Sequence, residues 1–482
     1  MNTTTLGCTR RFPIIQTTVF AALLLSAGCA SLDASRELDL AANAAQRVGG
    51  SLTPAEAWSL SVQDESPAWN GAEPLNYDDA VAVALQGDPA LRRALAVIIE
   101  RRAWYVQQGL PPNPTVAFGI GAAIDGLSGA PMMVQGMQML SWIWKNPHRV
   151  DAAGAELRAA VYDAADRCVI LMTKTRTQLA SVIAAQHMLA LEVQYVDITQ
   201  QTVDLVRSMQ EAGELAHLDL DRAIVDHQKA VAAMSASEHA LLDAQLNLLG
   251  TMGRPDEDTM WVAEGDLPPA WDIPADETTL LALAATGRLD VAARLEVVRQ
   301  LHAELGLAET RRFPDVGFNL TYQKNFGERK ALMPGASVTL PILDNGDPAV
   351  AIQVAKIEQA QMELLSAIEV AQQQVRMSFN RYLDARSQVE IIRGQQLGAA
   401  IAAQERSDAA YTEGEVDLNT LLLTQRQRIN VERSLVQQEY KTMQAMCDLR
   451  RAVGGSFDPV QNMIPVIEIE ARSLKTNLEG SS

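Results

Sequence analysis

Residues 112–121 read PNPTVAFGIG, and in them Val116, Phe118 and Ile120 take every second position while Ala117, Gly119 and Gly121 fill the places between. Such alternation predicts a β-strand with one apolar face. Two hundred residues on, the pattern returns: from Pro314 the chain reads PDVGFNLTYQ, with Val316, Phe318, Leu320 and Tyr322 on one face and Gly317, Asn319, Thr321 and Gln323 on the other. A second strand follows each of these across a polar loop, at 123–133 and at 326–334. In the first half it is VQGMQMLSWI, which alternates less cleanly. In the second it is ASVTLPI, where Ala336, Val338, Leu340 and Ile342 oppose Ser337, Thr339 and Pro341. A dry face backed by a wet one suits either a sheet packed on a core or a barrel strand between lipid and water. Trp142, Trp144, Tyr322 and Phe326 fall at strand ends, where interfacial aromatic residues sit.

The strands belong to a larger duplication. At an offset of 200, Gly87 meets Gly287, Leu95 meets Leu295, Val97 meets Val297, Ala103 meets Ala303 and Leu140 meets Leu340. That period is too long for a solenoid. Helical segments at about 78–110 and 279–312 lead into the strand pairs. Asn146-Pro147 and Asp347-Pro348 each place a capping side chain before a proline, the start signal of a helix. The first long helix, from His148 to Ala212, would measure about 95 Å at the helical rise. Both long helices stop at glycine turns, Gly213 and Gly414, with Asp219 or Asn419 placed to cap the returning helices at 217–250 and 418–453. Each repeat is therefore one long helix beside two half-length helices stacked end to end.

The 482 residues carry a net charge of −19 and no basic block, which argues against a nucleic-acid partner. Arg10 and Arg11 precede an apolar run that ends in small residues, the pattern of a secretory signal. The stretch Leu25-Ser26-Ala27-Gly28-Cys29 resembles a bacterial lipoprotein box, with Leu25 one position earlier than usual, so Cys29 is the expected lipid attachment site. Covalent lipid is the only non-protein group expected, and Ala30 after the cysteine implies the outer membrane. The organisation expected is a signal at 1–28, a lipidated, extended leader at 29–77, a first repeat at 78–250, a linker at 251–277, a second repeat at 278–455 and a tail at 456–482. Beyond the signal no apolar run of 18 residues is found, so spanning falls to strands.

Catalytic signatures are missing: there is no GxSxG, HExxH or phosphate loop, and no Cys/His spacing for zinc. The expectation is a protein that is not an enzyme and has no metal site. HLDLD at 217–221 has metal-like letters, but in a helix start they point to alternate faces. Met132, Met133, Met137 and Met139 would suit a soft ion such as Cu(I), though adaptable packing is the commoner use of methionine.

Four strands cannot close a membrane barrel, because single-chain barrels start at eight and an open edge in lipid is forbidden. The doubled plan, the segments LPPNPTVAFG, FPDVGFNLTY and GASVTLPILDNG, and the two glycine turns resemble the TolC-type outer membrane factor family over residues 75–456. The resemblance implies a mixed α and membrane β fold: a homotrimer whose twelve strands form one barrel, continuous with a long periplasmic α-helical barrel. It implies the exit channel of a tripartite efflux pump for drugs or heavy metals, in the outer membrane, working with a periplasmic adaptor and an inner-membrane pump. The alternatives are a type I secretion duct and a non-channel coiled-coil spacer lipoprotein. Adaptor-docking tips would lie at Gly213, Glu214, Gly414 and Glu415. Family members often carry an acidic ring near the second tip; here Thr420 and Leu423 stand at that distance, leaving Asp219 and Asp417 as the candidate pore-constriction carboxylates. Helical rise separates Cys168 from Cys447 by about 18 Å along the axis, too far for the ~7 Å limit of a disulfide.

Overall fold

The computed structural model describes residues 32–49, 69, 71, 73–122, 130–267, 273, 276–326, 329–455 and 457. Four strands, β1 (Thr115–Ile120), β2 (Met132–Met139), β3 (Asp315–Lys324) and β4 (Lys330–Thr339), form one antiparallel sheet in the order β1-β2-β3-β4. β4 starts six residues before the expected ASVTLPI, so much of the 326–334 loop is strand. Pro334 sits inside it, opposite Leu320. An edge strand tolerates proline because its outward N–H has no ladder partner to lose.

The helices, in chain order, are α1 (Ser35–Gly49), α2 (Tyr77–Gly87), α3 (Pro89–Gly109), α4 (Trp142–Glu211), α5 (His217–Thr251), α6 (Glu277–Gly287), α7 (Leu289–Glu309), α8 (Asp347–Ile391), α9 (Leu397–Thr412) and α10 (Leu418–Val453). They build a single layer of rods. Next to the sheet the order is α3, α4, α7, α8; further away it is α5, α4, α10 and then α8 running into α9. The 70-residue α4 is about 105 Å long at the helical rise. Contrary to the expectation of no such segment, part of α4 is long and apolar enough to cross a membrane by length and composition. It lies among α3, α5, α7 and α10, and Ala153, Ala155, Ala159, Ala160, Ala164 and Ala165 are buried there.

The half-length helices do stack end to end, but the segments before the strands are each broken in two, at Asp88 and at Arg288. The break is where one rod's two halves meet. A Cβ on Gly87 would lie 2.2 Å from the Met252 carbonyl oxygen, and one on Gly454 would lie 2.4 Å from the Gly287 carbonyl oxygen. Gly253 and Gly454 are left-handed, at φ +73° and +93°. Backbone must touch backbone at both junctions, so Gly87→Ala should destabilise the fold by at least the ~1–3 kcal/mol of overpacking. Gly213→Ala, with open space around it, should show only the ~1–2 kcal/mol of left-handed strain. Thermal unfolding of the two variants should rank them in that order.

Other boundaries move for local reasons. Asn146 is not a cap: α4 starts at Trp142, because the N–H groups of Leu140 and Ser141 both donate to Val316 O and turn the chain directly from β2 into helix. Pro147 therefore sits inside α4, where it cannot donate to the carbonyl four residues back. At α8 the cap position is Gly346, φ +82°, and Asp347 lies in the first turn beside Arg312 at 3.1 Å. The second long rod is interrupted by a π-helical turn, Ile392–Gln396, which nothing in its sequence announces beyond Gly394.

The leader at 29–77 is not extended throughout. Residues 35–49 form α1, which buries Ala41, Ala42, Ala44, Ala45 and Val48 and pairs Glu37 with Arg102 at 3.1 Å. The linker packs against the core through Trp261, edge-on to Trp69 at 5.6 Å, and through a parallel bridge between Leu75 and Ala263. The signal, Cys29, the loop at 123–129 and all of the tail except Phe457 lie outside the described residues.

Candidate functional site: a two-faced wall and paired tips

Register sorts the sheet into two faces. One row runs Phe118, Val134, Tyr322, Leu332 and the next Val116, Gly136, Leu320, Pro334. The opposite face has rows Ala117, Gln135, Thr321, Met333 and Thr115, Met137, Asn319, Gly335. The apolar face is bare: Val116, Phe118 and Ile120 are 56%, 76% and 81% exposed, and Leu332 is 60% exposed. A soluble sheet would bury such residues. Among the described residues β1 and β4 each have one edge without a neighbouring strand, which leaves their outer backbone groups open to pairing.

Where sheet meets helices, Lys145 at the head of α4 pairs with Asp315 at the start of β3, and Gln138 Nε2 donates to Pro112 O at 2.9 Å. These contacts fix the wall at the end of the rods.

The two tips, at the far end, are built alike. Gly213 (φ +82°) and Gly414 (φ +75°) close their helices, and the N–H groups of Glu214 and Glu415 donate to Met209 O and Ala410 O at 2.9 and 2.8 Å. Both glutamate side chains are exposed. The tips also rest on one apolar cluster, in which Val203, Val206 and Ala223 meet Tyr411, Leu418 and Leu421.

Asp219 and Asn419, the expected caps of the returning helices, do not cap them. Asp417 caps α10, accepting from Thr420 N at 3.0 Å and Thr420 Oγ1 at 2.5 Å, while Asn419 caps nothing. The Thr420 bonds, with a smaller contribution from Arg222, hold the Asp417 carboxyl below the usual carboxylate range. Asp219 caps nothing either; it pairs with Arg222 at 3.6 Å. Arg222 thus pairs with Asp219 and adds a weak favourable field at Asp417, a coupling that local spacing does not announce. Leu423 is 54% exposed, and Thr420 is occupied as the capping partner.

A second set of charges, also unforeseen, ties the α4–α5 hairpin to α10. Arg433 grips Glu192 through both oxygens, Nε to Oε1 at 2.6 Å and Nη2 to Oε2 at 2.5 Å, and its guanidinium lies over the Tyr195 ring at 5.6 Å. The Tyr195 hydroxyl donates to Asp226, which also accepts from Arg426 Nε at 2.7 Å. Burial, with Asp226 beside it, pushes the Tyr195 phenol up to about 12. Glu192 stands 21 residues before Gly213, about 30 Å above the tip.

Cys168 and Cys447 are both free, each against a methionine of its own helix, Met172 and Met443. Among the described residues no three of His, Cys, Asp and Glu converge on a metal-sized space.

An open four-stranded sheet on a layer of very long rods recurs in solved structures. The outer-membrane channel OprN superposes with a TM-score of 0.67 at 18% identity, over 83% of this chain and 96% of OprN. VceC, an outer membrane protein of Vibrio cholerae, matches with a TM-score of 0.66 at 16% identity, over 79% of this chain and 97% of its own. The outer membrane channel MtrE of Neisseria gonorrhoeae, in its open state, gives 0.66 at 18%, over 79% and 89%. The chain has the TolC-type outer membrane factor fold. No protein-family model matches the sequence, and no curated protein matches it.

Proposed function

We propose that this chain is the outer-membrane exit channel of a tripartite efflux pump, assembled as a homotrimer with a twelve-stranded barrel over a twelve-rod helical barrel. The observation that carries the reading is that strands and helices end in open edges together. Rod α3–α5 and rod α8–α9 are the layer's two flanks, just as β1 and β4 are the sheet's. Each flank has a second apolar face, opposite its buried one. On α8, Ile352, Met362, Val370 and Met377 are 57%, 56%, 45% and 45% exposed, whereas Ile357, Ala371, Val375 and Tyr382 are buried. On α5, Leu218, Val225 and Leu246 are exposed while Ala223, Ala230 and Leu248 are buried. A helix apolar on two sides is made to be covered on both. The α5 flank of one copy and the α8 flank of the next supply the cover, and β4 of one copy then runs antiparallel to β1 of the next.

The ten-residue β3 and β4 match the length of a tilted membrane strand, about 9–11 residues. The duplicated plan fits the same reading, since helices α2, α3 and α6, α7 begin and end 200 residues apart. So does lipidation at Cys29: the six residues from Cys29 to Ser35 could span at most about 20 Å, and α1 begins beside Arg102 of α3, on the side of the layer nearest the sheet. Gly213, Glu214, Gly414 and Glu415 would receive the periplasmic adaptor, with Asp219 and Asp417 nearest the constriction. A spacer lipoprotein fits less well, because it has no use for a bare apolar sheet face.

Purified in detergent, the protein should have three times the chain mass, run as a trimer on an unheated gel and collapse to monomer when boiled. In planar bilayers it should give discrete conductance steps. A monomer in detergent would refute the assembly.

A further inference from the structure

Five of the chain's 17 methionines lie in the four short strands. Four of them, Met133, Met137, Met139 and Met333, share the face that carries Gln135, Asn319, Thr321, Gln323 and Ser337. That face has no Val, Leu, Ile or Phe. If bulk or apolarity alone were wanted there, the branched aliphatics that favour strands would serve, so what sets these positions apart is sulfur. Glycine clears space for it: a Cβ on Gly317 would come within 3.2 Å of Met139 Sδ, and one on Gly119 within 3.8 Å of Met133 Cε. The Met139 and Met133 side chains thus lie along the wall against glycine backbone.

Met137 and Met139 stand two residues apart on one strand face, about 7 Å between Cα atoms. Two unbranched side chains close that gap readily and bring both sulfurs to one ion. Neutral thioether sulfur is a soft donor that prefers Cu(I) or Ag(I) to hard cations. The face offers no histidine or cysteine, and its carboxylate at the strand start, Asp315, is already paired with Lys145. We propose that this face is a transit site for soft monovalent metal ions, chelated by Met137 and Met139, with Met133 and Met333 as single-thioether stops beside them. The inference rests on the reading above, in which this face lines the water path, and it names a cargo class for that path. Ligands without charge suit transit, since they hold an ion weakly and release it.

Silver(I), which is redox-inert, is the probe. Full-length assembled protein, with Cys168 and Cys447 replaced by alanine so that thiols do not compete, is dialysed against silver nitrate in chloride-free buffer. Bound silver is counted by mass spectrometry, and 13C-methyl-methionine NMR reports the thioethers. Silver should bind and shift the four methyl signals. M137L/M139L should lose most of the binding, and M133L/M137L/M139L/M333L should weaken it at least tenfold. Undiminished silver affinity in the quadruple variant, or unmoved methyl signals, would overturn the site. Conductance of the same samples separates the two readings: a conducting protein without methionine-dependent silver binding sinks the site alone, and a silver-binding protein that never conducts sinks the channel.

Discussion

Replacing Leu320 with arginine should abolish assembly in the outer membrane, whereas arginine at the next residue, Thr321, should leave assembly intact and change the current. Both lie near the middle of β3, and only the face differs: Leu320 stands in the row with Val116, Gly136 and Pro334, and Thr321 in the row with Ala117, Gln135 and Met333. Arginine on the lipid face at the bilayer midplane costs about 2–4 kcal/mol, and in the proposed trimer the penalty would recur in every copy. A charge on the water face meets solvent and acts on passing ions instead. Density-gradient separation of membranes measures assembly, and the reversal potential under a salt gradient should shift toward anions in Thr321→Arg. If Leu320→Arg reaches the outer membrane as a trimer, or if Thr321→Arg is the variant that fails, the assignment of faces is wrong.

Glu192→Ala should be strongly destabilising to the helical layer. It leaves the Arg433 guanidinium, a quarter exposed, packed over Tyr195 without its carboxylate. Breaking a buried pair by removing one partner costs about 3–5 kcal/mol, because the remaining charge stays desolvated. Removing both, as in Glu192→Leu with Arg433→Leu, should recover most of that loss, because no unpaired charge remains. Asp204→Ala provides the contrast: its pair with Arg207 is at the surface, where such contacts contribute about 0–1 kcal/mol. Circular-dichroism melting of the assembled protein, at one scan rate for all variants, should order the damage as Glu192→Ala, then the double leucine variant, then Asp204→Ala. Equal midpoints for the first two would show that the pair does not clamp the α4–α5 hairpin to α10.

Much of the architecture could be read from local pattern. The period-two runs at Val116 and Val316, the glycines at 213 and 414, and the proline-free stretches from Pro147 to Gly213 and from Pro348 to Gly414 each depend on a few neighbouring residues, so strands, tips and rods were legible. The misreadings share another cause. Asn146 looked like a cap, but the carbonyl of Val316, far along the chain, starts α4 earlier. The residues before α2 looked extended, but α1 is held by a core that α4 supplies.

The chain by itself determined which residues alternate, where helices must stop and that two halves repeat, because those properties rest on backbone geometry over a turn or a pleat. Only the tertiary structure decided which charges meet. Glu192 and Arg433 are 241 residues apart, and no local spacing foretells such a pair. It also decided that Gly87 and Gly287 mark rod junctions, and that sheet and rods end at matching open flanks, since contact and closure belong to the three-dimensional arrangement of elements that each segment's sequence leaves free.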